Sequence, residues 1–336
     1  MTTALHRNSF HVLGATPRDP AVRLFALSED PEMAADALAR RSACARLINP
    51  RIRLEAELGW LPGVSEQQAS LVALWLDRLE EVDPAAALPP LALANLIAAG
   101  MEERRSPMGR SAVVLESLRL ASATDLIDLD DLLNDINSDR AAAGILAVPN
   151  VDVLNRALPA QRRYHVRVIR DLLDTLPTSE LIEAVVEVVA QSTQHGSRQA
   201  PLLVSDLVDA YEREAQKFAA GEMANADRLI ARIRTEAAQR DSLMTTTIDA
   251  LGRVASNWTR VMKPMQLLQR ANGVDHATSR ELALRMRSLA IWLCNDQRMI
   301  EAMRQIYAIL RREFGLLAAL SARLEQDLAP APRQAG

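Results

Sequence analysis

Residues 244–262, MTTTIDALGRVASNWTRVM, decide the fold class. Met244, Ile248, Leu251, Ala255, Trp258 and Met262 follow one another at steps of 4, 3, 4, 3 and 4. That spacing stacks them along one side of an α-helix and does not suit a strand, whose faces alternate every second residue. Pro264 is expected to end this helix. The pattern resumes beyond the Asn272-Gly273 turn, where Leu282, Met286, Leu289 and Leu293 step 4, 3, 4. It continues through Ile300, Met303, Ile306, Leu310, Phe314, Leu317, Leu320 and Leu324. Long antiparallel helices joined by short loops are the expected result.

Composition agrees with a helical reading. Glycine accounts for 12 of 336 residues and aromatics for 3%, and both are what tight phosphate-cradling turns and strands draw on. A nucleotide-binding α/β enzyme is therefore disfavoured. The hydrophobic share of 49% can build a core, and the length suggests about two domains. The formal net charge of −4 argues against a dedicated nucleic-acid binder. Lys217 and Lys263 are the only lysines among 39 basic residues, a bias attributed to GC-rich coding rather than function. Cys44 and Cys294 lie too far apart in sequence for a metal motif, and one pair does not make a disulfide scaffold. Met1 to Phe10 lacks the apolar stretch of a signal peptide, and no apolar run reaches the ~18 residues of a membrane span. The expectation is a cytoplasmic protein that does not enter a membrane.

Proline, glycine and capping residues punctuate the first half. Asn8 to Leu13 stops at Gly14, Asp19-Pro20 and Asp30-Pro31 each read as a helix start, and Asn49-Pro50 breaks and restarts the chain before Pro62-Gly63. Ser65 with Gln68 has capping-box spacing for a helix reaching about Val82. After Pro84, Pro89 and Pro90, helices are expected over Leu91 to Met101 and Val113 to Leu120. Six aspartates between Asp125 and Asp139 alternate with Leu126, Leu129, Leu132, Leu133 and Ile136 at helical spacing. They read as the wet face of an amphipathic helix; a calcium loop would need a central glycine and a closing glutamate. Leu146 to Val153 reads as loop, Pro159 to Leu176 and Glu180 to Gln191 as a helical pair, and Thr193 to Pro201 as a linker. His195, beside Gly196, reads as a turn residue.

Signals for chemistry are sparse. The five histidines form no His-x-x-x-His pair, and there is no Gly-x-Ser-x-Gly turn or phosphate loop. No catalytic residue, cofactor or metal is expected. The densest basic stretch is Arg40, Arg41, Arg46, Arg51 and Arg53. It reads either as solvated surface balanced by Asp36, Glu55 and Glu57, or as a docking face for an acidic partner.

Phe10-His11-Val12-Leu13-Gly14 resembles the opening helix of J-domains, the DnaJ-type co-chaperone module, and Leu47-Ile48-Asn49-Pro50-Arg51-Ile52-Arg53 resembles the end of that module's third helix. The two motifs, in order, cover about 55 residues. The family stimulates ATP hydrolysis by DnaK-type chaperones through a His-Pro-Asp loop. The corresponding stretch here is Leu27-Ser28-Glu29-Asp30-Pro31, without the histidine. The resemblance therefore implies the fold and chaperone docking, not stimulation. The stretches Arg198 to Tyr211, Trp258 to Gln269 and Asp275 to Leu293 resemble the all-helical body of bacterial DnaJ-like proteins.

The expectation is an all-α chain with a J-like domain over 1–64, a helical middle region over 65–195, a C-terminal bundle over 201–328 and a disordered tail over 329–336. Its expected role is that of a non-enzymatic adaptor for a DnaK-type chaperone or a divergent relative and a protein client, with no nucleic acid and no membrane. Arg18, Arg23, Arg40, Arg41 and Arg46 are the candidate partner-binding residues. The alternative is a scaffold or assembly subunit that uses the J-like fold only for packing and can self-associate as a homo-oligomer. Its seam would be Met262, Met265, Met286, Met299 and Met303, which read more simply as core filling.

Overall fold

The computed structural model describes residues 3–30, 36–79, 88–104 and 108–328. The described residues are all-α, without a strand. The helices are α1 (Ser9–Leu13), α2 (Ala21–Ser28), α3 (Ala37–Ile48), α4 (Pro50–Leu58), α5 (Glu66–Asp77), α6 (Pro90–Glu103), α7 (Arg110–Asp125) and α8 (Leu129–Ala142). They continue with α9 (Val151–Leu173), α10 (Thr178–Ser192), α11 (Leu202–Gln239), α12 (Met244–Ala271), α13 (Ala277–Asn295), α14 (Ile300–Glu313) and α15 (Ala318–Leu328). Two compact units form: Met1–Ala184 with Pro201–Asp206, and Val185–Ala200 with Leu207–Gly336.

In the first unit, local signals set the helix ends. The Asn8 side chain caps α1 by accepting from the Phe10 N–H, and Gly14 closes the helix at φ +65°, a conformation that favours glycine. Asn49 caps α4 through the N–H groups of Arg51 and Ile52, with Pro50 at the first helical position. At the start of α5 the Ser65 N–H and hydroxyl both donate to Gln68. The Asp19-Pro20 start is displaced by one residue. Pro20 occupies the cap position, while Asp19 accepts from the Thr16 N–H and pairs with Arg23. The restart at Pro31, the break at Pro84, Pro107 and the tail over 329–336 lie outside the described residues.

The first 64 residues share their core with α5 and α6. Leu5, Phe10, Leu13, Leu24, Cys44, Leu47 and Trp60 are buried in one cluster with Trp75 and Leu79, and with Ala92, Leu96 and Ala99 of α6. Polar ties reinforce this. Glu102 accepts from the Ala4 N–H, from Arg7 and from the Tyr164 hydroxyl, joining the N-terminal turn, α6 and α9. Burying large apolar groups from five or more helices together contributes about 1.5–3 kcal/mol per side chain.

Two prolines depart from the reading of the sequence. Pro159 lies inside α9, which starts at Val151, and Pro264 lies inside α12. Each removes one N–H from the helical ladder. Near Pro264 the Tyr211 hydroxyl donates to the Val261 carbonyl at 3.1 Å, tying α11 to α12.

In the second unit the seam residues Ile248, Leu251, Ala255, Trp258 and Met262 are buried, as are Leu282, Met286, Leu289 and Leu293. The last apolar run is split, because α14 ends at Glu313 and α15 begins at Ala318. A clamp ties these pieces: Arg287 donates twice to Asp327 at 2.7 Å and Tyr307 donates to the same carboxylate at 2.9 Å. Thr193 to Gly196 forms a tight turn rather than an open linker. Thr193 is buried, and Gln194, His195 and Gly196 all have positive φ. Among the described residues, no helix is long and apolar enough to cross a membrane.

Candidate functional site

The five arginines expected to bind a partner separate into three groups. Arg40 is only 5% exposed. It leaves α3 on the same side as Ala43, Cys44 and Leu47, and its guanidinium donates to the Leu27 carbonyl at 2.6 and 3.0 Å and to the Leu13 carbonyl at 3.5 Å. A cation thus sits on the carboxyl ends of α1 and α2, where unpaired carbonyls and the helix dipole favour it. Arg40 is a frame residue and drops out of the docking set. Arg18 and Arg23 are exposed but paired, with Asp139 at 2.8 Å and Asp19 at 2.9 Å. Arg41 and Arg46 are exposed and make no ion pair among the described residues.

Arg41 and Arg46 share the outer side of α3 with Leu38, Ala45 and Ile48. At 100° per residue these positions form one face opposite the buried one. Leu38 is 80% exposed, and on the neighbouring α2 Val22 is 80% and Phe25 52% exposed. Large apolar groups turned to water on both helices, with exposed guanidiniums among them, are a pattern of protein-contact surfaces.

Behind this face lies a buried charge network. Arg53 donates to Glu57 at 2.8 Å and to the Pro17 carbonyl at 2.6 Å, and its guanidinium lies 5.4 Å from the Phe10 ring centre. Arg140 of α8 reaches the same Glu57 carboxylate at 2.8 Å. Burial pushes the Arg53 pKa down, and Glu57 opposes that shift. Asp139 is buried as well and holds Arg18. The acidic run is thus a wet face only in part: Asp128 caps α8 through the N–H groups of Asp130 and Asp131, while Asp139 belongs to the interior.

Two polar clusters escape a sequence reading. Asn95 donates to the Leu58 and Trp60 carbonyls and accepts from Gln161 at 2.7 Å and His165 at 3.0 Å, so all four of its bonds are made. Because the Asn95 oxygen only accepts, His165 carries its proton on Nε2. Burial drives the His165 pKa down to about 3, which keeps the ring neutral. The only local hint was the Gln161–His165 spacing of one helical turn.

The second cluster brings Glu212, His276 and Ser279 together in the order of a catalytic triad. Ser279 lies 2.8 Å from His276 Nδ1, and His276 Nε2 lies 3.7 Å from Glu212. Trp258 Nε1 and Gln266 Nε2 each donate to Ser279 Oγ at 2.9 Å. Both oxygen lone pairs are occupied and the residue is fully buried, so Ser279 cannot serve as a nucleophile. The cluster holds α12 against the start of α13. Among the described residues no group of three or more His, Cys, Asp or Glu side chains is placed to hold a metal ion. Met262, Met265 and Met286 are buried in the second unit, and Met299 and Met303 are half-buried. No protein-family model, curated protein or solved structure matches this chain.

Proposed function

We propose that this protein is a non-enzymatic, co-chaperone-like adaptor of the cytoplasm, docking on a DnaK-type chaperone or a divergent relative through the outer faces of α2 and α3. The observation that carries this reading is the face of Leu38, Arg41, Ala45, Arg46 and Ile48. It offers large aliphatic groups and two guanidiniums that make no ion pair among the described residues, suited to an acidic surface with an apolar centre. The resemblance of Phe10–Gly14 and Leu47–Arg53 to J-domain segments supports the choice of partner. The first segment supplies α1 and its closing glycine, the second the turn from α3 into α4. The helical body is the part that holds a client.

Mixing the chain with the DnaK-type chaperones of its own cell, and measuring both binding and ATP turnover, tests the reading. The expected result is binding without stimulation, because Leu27 to Pro31 lacks the histidine of the stimulating motif. Binding should weaken about tenfold or more in the Arg41→Glu, Arg46→Glu double variant. Absence of binding to every such chaperone overturns it.

A further inference from the structure

A cavity of about 260 Å³ opens in the first unit between α6, α7, α8, α9 and the start of α11. Leu91, Ile127, Leu129, Leu158, Leu202 and Leu203 supply its apolar wall. It lies just under the ~300–1,000 Å³ usual for ligand pockets, which suits a single fused ring system.

The polar part of the wall is mixed: Gln161 and Arg162 carry N–H donors, and His165 offers an acceptor. His165 lines the cavity and is only 1% exposed. Its Nε2–H is committed to Asn95, so the nitrogen left for the cavity is Nδ1, an acceptor with no partner among the described residues. Pro159 and Asn155 line the same cavity. Pro159 has no N–H, so the Asn155 carbonyl one turn earlier lacks its helical donor. Thr124 donates its own hydroxyl to the Ala121 carbonyl, leaving that oxygen to accept too. The charge of Arg162 is met by Asp206, and Asp125 sits at the exposed rim.

We propose that this cavity binds a small, uncharged, mainly apolar ring compound whose N–H or O–H donates to His165 Nδ1. The site is separate from the α2–α3 face, so its test stands apart from chaperone docking.

Indole is a suitable probe, with benzothiophene as an isostere that has no donor. Calorimetry on the full chain should show one saturable indole site. His165→Leu should weaken indole about five- to tenfold and change benzothiophene by less than about twofold, the difference expected from one hydrogen bond. Leu158→Trp, which fills the cavity, should abolish binding of both. If His165→Leu fails to fold, the ¹⁵N shift of His165 Nδ1 in the unaltered chain replaces it: indole should move this signal upfield and benzothiophene should not. No saturable indole binding overturns the proposal. So does an equal loss of both probes in His165→Leu, or a Nδ1 signal that indole leaves in place.

Discussion

Acidification should destabilise the protein through His165. In the unfolded chain this imidazole takes up a proton near pH 6.5. In the folded chain burial holds its pKa down to about 3, with Nε2 pointed at Asn95 and no counter-charge to favour a cation. Between those values the unfolded state binds more protons, so stability falls as pH falls. Stability is complete above about pH 6.5 and is lost progressively on the way to about pH 3. Each unit is worth about 1.4 kcal/mol, so going from about pH 7 to about pH 5 removes ~2 kcal/mol. His276 acts in the same direction, since burial lowers its pKa despite Glu212. Asp135 acts oppositely, because burial raises its pKa and a folded state that keeps its proton gains stability as pH falls. His165→Gln isolates the effect, because glutamine keeps a donor for Asn95 and does not titrate. Urea unfolding of both chains at the two pH values gives the comparison. The variant should lose ~2 kcal/mol less than the parent on acidification. An identical pH dependence in the two chains would refute the assignment of a buried neutral imidazole.

Other perturbations probe the frame. Glu57→Gln removes the single carboxylate shared by Arg53 and Arg140 and leaves two buried cations facing each other; thermal unfolding should report a loss of about 3–5 kcal/mol. Arg40→Ala strips the carboxyl ends of α1 and α2 of their cation and should cost about 1.5–3 kcal/mol, whereas Arg41→Ala should leave the unfolding midpoint within error. Gly100→Ala places a Cβ 2.5 Å from the Leu79 carbonyl oxygen, which is backbone and cannot swing aside. Its helix-propensity gain of about 1 kcal/mol is outweighed, and a net loss of about 1–2 kcal/mol is expected in urea.

The helices were legible wherever apolar residues recur at steps of three and four, as from Ile248 to Met262, because that spacing is what burial on a helix demands. Prolines were not. Pro159 and Pro264 look like boundaries, yet packing on both sides carries α9 and α12 through them. Charges were the harder case. Asp139 and Arg53 look like surface residues; Glu57 lies one helical turn from Arg53, but only the fold brings Arg140 to Glu57 and Arg18 to Asp139. Arg40 did carry a signal, since Ala43, Cys44 and Leu47 follow it at three, four and seven residues and so share its side of α3. The pairing of His165 with Asn95 spans 70 positions, and no local pattern encodes it.

Docking of a chaperone on the α2–α3 face is the central claim. The most direct measurement is calorimetric titration of a DnaK-type chaperone from the same cell with the full chain and with Phe25→Ala, Arg41→Glu. Saturable binding to the parent chain, lost in the variant while both remain equally folded, is the predicted result. Equal binding by the two chains, or none by either, would contradict it.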